Sequence, residues 1–383
     1  MDHTVLNSNF TFVASKKRMM DILEKYAELL VHYCMEIKSG DTLLISTTTA
    51  AEPLVREVFR SATRAGAHIH LDLAIREQNR IFLEEAADHQ LQYVSPQKLE
   101  MMHTFDAYLN IIAPYNTREM KHVDAAKSAA RNAAHKPLND IYFTRIGDKS
   151  LKRTLCQFPT SAAAQEADMS LEEYERFVFG ACHLFEDDPT VAWLQVRDEQ
   201  QHIVDYLNAA KSIRYINPRT DITFSVQGRT WINSDGRNNM PSGEVFTSPM
   251  EDSVQGFIHF DLPTVYGGHQ VRGVTLQVKD GLIVSWDAEE GKSYLDEIFK
   301  ISGTRYFGEA AIGTNANIQT TTRNILFDEK IGGTVHMAIG QSYKQAGGKN
   351  TSTVHWDMIA DMRASGEILA DGRMIYTNGK FII

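Results

Sequence analysis

Strand-like and helix-like segments alternate through the first half of this chain and then cease to alternate, and that change of texture limits the folds open to it. "DTLLIST" at 41–47 reads as a buried strand, "PLVREVFRSATRAG" at 53–66 as a helix ended by Gly66, and "AHIHLDLA" at 67–74 as a second strand. "DAYLNIIA" at 106–113 reads as another strand, and "RMMDILEKYAELLVHYCMEI" at 18–37 repeats apolar residues at three and four, as an amphipathic helix does. Strands joined through helices lie parallel in one sheet with the helices on its faces. A mainly helical stretch follows, in which "SLEEYERFVFGACHLF" at 170–185 opens on Ser170 with Glu173 three residues later, a capping-box spacing. "VRDEQQHIVDYLNAA" at 196–210 reads as its last helix. From "SIRYINPRTDITFSV" onward, short β-rich runs are broken by Gly, Asn and Asp, and only "KSYLDEIFK" at 292–300 reads as helix. The chain of 383 residues exceeds one ordinary core. The sequence therefore predicts an α/β N-terminal domain with a mainly parallel sheet over 1–210, and a β-rich α+β C-terminal domain over 211–383.

Charge and composition narrow the function classes. The net charge of −10 is spread along the chain, which argues against nucleic acid as a partner, since that needs a basic stripe. Cys34, Cys156 and Cys182 are odd in number and form no C-x-x-C, so neither a disulfide framework nor a thiolate zinc site is expected. "MDHTVLNSNF" lacks the pattern of a secretory leader, and no apolar run approaches a membrane span. The expectation is a cytoplasmic protein without a membrane partner. The α/β half also lacks G-x-G-x-x-G and G-x-x-x-x-G-K-[ST], so no phosphate cradle for a nucleotide cofactor is expected.

The second half places ionisable side chains inside apolar strand patterns. "PSGEVFTSP" sets Glu244 beside Val245 and Phe246; "RYFGEAAIG" sets Glu309 between Phe307 and Ala310. "GTVHMAIGQSY" carries His336 in a strand and Tyr343 just past its end. "TVHWDMIA" carries His355 and Asp357 two apart, hence on one face of a pleated strand. Singly, each has a bland explanation as an edge carboxylate, a satisfied core histidine or a phenol at a strand end. Together they are harder to dismiss, because buried charges are normally paired or metal-bound. Three carboxylates and two neutral imidazoles carry −3, and two divalent cations with one hydroxide balance them. Such a donor set suits zinc, cobalt or manganese better than calcium. One ion held by His336, His355 and Asp357 is the mononuclear alternative. His68 and His70 share a strand face with no acidic partner motif and read as structural, and His259 with Asp261 repeats the spacing at a strand end as a decoy.

"SGEVFTSP", "RYFGEAAIG", "NILFDEKIGGTVHMAIGQSY" and "VHWDMI" occur in the order and near the spacing found in the M29 family of metallo-aminopeptidases, the aminopeptidase T and aminopeptidase S type, which this chain resembles. The resemblance is close across the C-terminal half; the N-terminal half agrees in its α/β character and in a helix followed by "KSGDTLLI". It implies a co-catalytic pair of divalent metal ions held by Glu244, Glu309, His336, His355 and Asp357, with Tyr343 as the active-site tyrosine. It also implies a homodimer acting on short peptides. Glu329, in "LFDEK", matches an acidic residue before the histidine strand, but here seven positions separate it from His336, where members have fewer. Glu309 or Glu329 would serve as the proton acceptor. Two other readings stand beside this one: a mononuclear non-heme iron dioxygenase of the same fold that opens hydroxylated pyridine rings, and a non-catalytic binding protein.

Overall fold

The computed structural model describes residues 19–383. The leader pattern sought in residues 1–10, and Arg18 at the head of the first helix, lie outside the described residues. The chain divides into two compact units, one of residues up to Ala192 with Arg237–Met240, the other of Trp193–Gly236 with Pro241–Ile383.

The first unit is the expected α/β layer. Its sheet runs His68–Ala74, Thr42–Thr48, Ala107–Ile112, Lys152–Gln157 and Asn239–Met240, and every neighbouring pair is parallel. The capping box at Ser170 forms as its spacing predicts: Glu173 donates its backbone N–H to Ser170 Oγ, and Glu173 Oε2 accepts from the Ser170 N–H. Strand Lys152–Gln157 departs from the sequence reading, since "KRTLCQ" opens on two cations in a stretch that reads as helical. Both cations are satisfied, Lys152 by Asp41 at 2.7 Å and Arg153 by the Asn238 carbonyl at 2.7 Å, which leaves Thr154 and Cys156 free to be buried. The three cysteines are buried, and none is in a disulfide. Among the described residues, no helix is long and apolar enough to cross a membrane.

The second unit holds two large antiparallel sheets and a two-stranded one, Thr264–Tyr266 with His269–Val271. The larger has eight strands, from Leu282–Asp287 at one edge to Lys380–Phe381 at the other. The smaller has five, in the order His355–Asp361, Thr334–Gly340, Phe307–Gly313, Glu244–Thr247, Ile232–Ser234. Apolar residues of both sheets form one core, the smaller sheet giving Val245, Ala310, Ile312, Val335, Met337, Ile339, Trp356, Met358 and Ala360. Because strand side chains alternate, the residues between these point to the other face. Glu244, Glu309, His336, His355 and Asp357 all have that parity.

Phe307 breaks the alternation. It belongs to the core, yet it stands two residues before Glu309, and on a regular strand the two would share a face. The register slips between Phe307 and Glu309, so a bulge at Gly308 inserts the extra residue that turns Glu309 outward. A Cβ at Gly308 would lie 2.1 Å from the Gln341 carbonyl oxygen, so only glycine fits this bulge.

Candidate metal centre

Cross-strand pairing sets the functional side chains in rows separated by small residues. Ala338 lies between Glu309 and Asp357, Ala311 beside His336, and Gly313 opposite Glu244. Neighbouring strands hold paired Cβ atoms about 5 Å apart, so these small residues leave a bowl into which the ionisable groups converge. His336 Nε2 is 3.3 Å from Glu244 Oε2 and 3.8 Å from Glu309 Oε1. His355 Nε2 is 3.0 Å from Glu309 Oε2 and 3.6 Å from Asp357 Oδ2. Glu244, Glu309, His336 and Asp357 are buried, and His355 keeps a minor part of its ring in solvent.

Three sets of donor atoms lie close enough to share an ion, each within 4.8 Å of one another: Glu244, Glu309 and His336; Glu309, His355 and Asp357; Glu329, His336 and Asp357. Glu309 belongs to the first two sets. Five buried atoms of the cluster, Glu244 Oε2, His336 Nδ1 and Nε2, His355 Nε2 and Asp357 Oδ1, have no hydrogen-bond partner. Buried polar atoms are rarely left so. The five are carboxylate oxygens and imidazole nitrogens of residues that can share an ion, a donor set that fits a divalent cation.

One imidazole is oriented from behind. His355 Nδ1 lies 2.8 Å from the Gln341 carbonyl, which can only accept, so Nδ1 carries the proton and Nε2 faces the carboxylates as a potential ligand. That carbonyl is the one packed on Gly308. Gly308→Ala is therefore expected to weaken divalent-ion affinity about 10–100-fold and to cost about 1–3 kcal/mol of stability, as read by metal titration and denaturant unfolding. Unchanged affinity would show that the carbonyl does not position the ring.

The electrostatics follow from crowding charge into a buried space. Burial alone would raise Glu309, but the imidazoles of His336 and His355 beside it outweigh this and leave its pKa below the ordinary value. Burial would likewise raise Asp357, but the His355 charge beside it pulls it down to about 2. Burial disfavours the imidazolium of His336, yet Glu309 and Glu244 overcome this and lift it to about 9, and Asp357 and Glu309 hold His355 well above its usual value. A divalent cation would replace those protons as the neutralising charge, since ligating nitrogens must be deprotonated.

Tyr343 keeps part of its ring in solvent, but its ring packs 5.1 Å from Phe246 and 5.1 Å from His355. Loss of water around the hydroxyl, and then the charges of Glu309, Asp357, Glu329 and Glu244, hold its pKa well above that of a free phenol. It remains a hydrogen-bond donor at neutral pH.

Glu329 joins the cluster despite its longer spacing from His336. Between Glu329 and His336 the chain makes a tight turn, with Gly332 N–H donating to the Asn315 carbonyl and Gly333 N–H to that of Gly313. Burial raises Glu329 to about 8, opposed by Lys330 and assisted by Glu244 and Asp357. Lys330 is the residue that sequence reasoning missed. It is fully buried, and its ammonium pairs with Glu244 Oε1 at 2.6 Å and with Glu329 Oε1. In "FDEKIGG" it reads as part of a solvated turn; the available signal was the apolar run Ile325, Leu326 and Phe327 ahead of its acidic neighbours and Ile331 after it.

The remaining histidines singled out in the sequence lie elsewhere. His68 and His70 are exposed on an edge strand, and His70 meets Phe105 edge-on. His259 Nδ1 is 2.8 Å from Thr275 Oγ1, while Asp261 pairs with Arg219 and accepts the Asp361 N–H. None of the four belongs to a metal-holding group found among the described residues.

Comparison with known proteins extends the picture beyond the site. Aminopeptidase 2 of Geobacillus stearothermophilus is 29% identical over 396 residues, spanning 92% of this chain and 95% of that protein. Among solved structures, wild-type AmpT from Thermus thermophilus matches with a TM-score of 0.81 at 23% identity, covering 94% of this chain and 99% of its own. The 2,5-dihydroxypyridine dioxygenase of Pseudomonas putida KT2440 matches at a TM-score of 0.54 and 12% identity, over 95% of this chain and 96% of its own. These two likenesses speak to the fold. Residues 19–381 match the thermophilic metalloproteases designated M29, so this chain, with its carboxylate and imidazole cluster on one sheet face, belongs to the M29 peptidase family.

Proposed function

We propose that this chain is a metal-dependent aminopeptidase that removes the first residue of short peptides, using two divalent cations held in its C-terminal domain, residues 211–383. The observation that carries this reading is the double membership of Glu309, which can contribute to the Glu244–His336 group and to the His355–Asp357 group at once. A carboxylate so shared is suited to bridge two ions. When bound, the pair would supply a hydroxide at neutral pH and polarise the scissile carbonyl.

The protein's own residues do the rest. Glu329, which lies in the His336–Asp357 group, is suited, once bound cations hold it as the carboxylate, to accept the proton of the attacking water and pass it to the leaving amine. Tyr343 is suited to donate a hydrogen bond to the developing oxyanion. Carboxylates gathered at the bowl attract the free α-amine of a peptide, which restricts cleavage to the first residue. Zinc, cobalt or manganese fit the oxygen-rich, imidazole-containing donor set. A homodimer in the cytoplasm completes the proposal.

A mononuclear iron dioxygenase is the second reading, and the shared fold with the Pseudomonas putida enzyme is what favours it. Metal reconstitution separates the two. Protein stripped with a chelator is expected to lose hydrolysis of an amino-acid anilide and to regain it with zinc, cobalt or manganese. Recovery with ferrous iron alone, together with oxygen consumption on a hydroxypyridine, would overturn the peptidase in favour of the dioxygenase.

A further inference from the structure

We propose that Lys330 is a built-in cation of the metal centre: it lets four carboxylates fold together before any metal is bound, and it limits how tightly the metals are then held. This rests on the peptidase reading and adds a residue that the reaction itself leaves unused.

A fully buried lysine is rare unless paired, because its ammonium must leave water. Lys330 is buried without exposure, and it takes one oxygen from each of two carboxylates, Glu244 Oε1 and Glu329 Oε1. The other oxygen of Glu244 has no hydrogen-bond partner and faces His336. The backbone fixes the arrangement: Lys330 donates its N–H to the Phe327 carbonyl and its own carbonyl accepts from Asn315 N–H. The ammonium is thus fastened behind the cluster, leaving the front oxygen of Glu244 to the imidazole side.

Charge explains what this does. In the loaded centre, where ligating imidazoles are neutral, Glu244, Glu309, Glu329 and Asp357 with Lys330 carry −3, so two divalent ions and one hydroxide bring it to neutrality. Without Lys330 the same four carboxylates carry −4 and attract cations more strongly. In the stripped protein, protons on His336, His355 and Glu329 relieve part of the repulsion, and Lys330 relieves more of it from behind. Buried charges at this range are little screened by salt, so the effect is local and persistent.

The test is Lys330→Met, in which a linear apolar side chain replaces the lysine. Zinc is titrated calorimetrically into chelator-stripped protein, and melting temperatures are taken with and without zinc. Zinc affinity is expected to rise about tenfold or more, since a nearby like charge has been removed. The stripped variant should melt well below stripped parent, while the zinc-loaded forms melt within a few degrees of each other. Unchanged or weaker affinity, with equal losses of melting temperature in both forms, would overturn the proposal and leave Lys330 as an anchor for its turn.

If stripped Lys330→Met does not fold, the variant is prepared with zinc present and its zinc is withdrawn by graded chelator. It is expected to hold zinc against about tenfold more chelator than parent; release at the parent's chelator concentration or below would overturn the proposal. Parent protein that takes up no zinc, cobalt or manganese would sink the peptidase reading along with it. Parent that binds normally while the variant disobeys would sink the role of Lys330 alone.

Discussion

Glu309→Gln should reduce turnover on an amino-acid anilide by about a thousandfold or more, a loss of about 4 kcal/mol of transition-state stabilisation. The substitution keeps the shape of the side chain and removes its charge. At this position the charge matters twice, because Oε1 faces His336 and Oε2 faces His355. An amide presents one carbonyl oxygen and one NH₂, so it cannot offer a ligand atom to both groups. Its NH₂ would also point at an imidazole nitrogen reserved for metal. The strand itself should survive, since Ala310 and Ile312 on its core face are untouched. Circular dichroism should therefore match the parent while turnover collapses. Activity within tenfold of the parent would remove Glu309 from the site.

Tyr343→Phe should lower turnover about 100-fold, or about 3 kcal/mol, with KM changed about threefold or less. The split follows from when the hydroxyl is needed. Crowding away from water and the surrounding carboxylates keep the phenol protonated, so it can donate but does not act as a base. A donor aimed at an oxyanion works most strongly once negative charge has developed, hence the effect on turnover. The packing of the ring against Phe246 and His355 is retained in phenylalanine. Steady-state kinetics of the variant decide: unchanged turnover would mean that the tyrosine contributes packing alone.

Much of the site was legible because its chemistry conflicts with its setting. Glu244, Glu309, His336 and Asp357 interrupt apolar strands, and a charge inside an apolar run requires either a partner or an ion. The parity of His355 and Asp357 follows from the two-residue period of a strand, and the structure places both on the face opposite the core. The α/β layer was legible from its alternation of helices and strands. What escaped depended on partners distant in sequence. The outward turn of Glu309 rests on the bulge at Gly308, which arises where the Gln341 backbone approaches from the next strand. Lys330 looked solvated because Asp328 and Glu329 precede it, and its burial follows from the turn that carries it under Glu244. Strand Lys152–Gln157 was hidden by two cations whose partners, Asp41 and Asn238, lie far away along the chain.

Cation count per chain tests the centre most directly. Protein loaded with zinc, freed of loose metal by dialysis and analysed for metal and protein together should hold two ions per chain, and Glu309→Gln fewer. One ion per chain in the parent, or none, would contradict a pair bridged by Glu309.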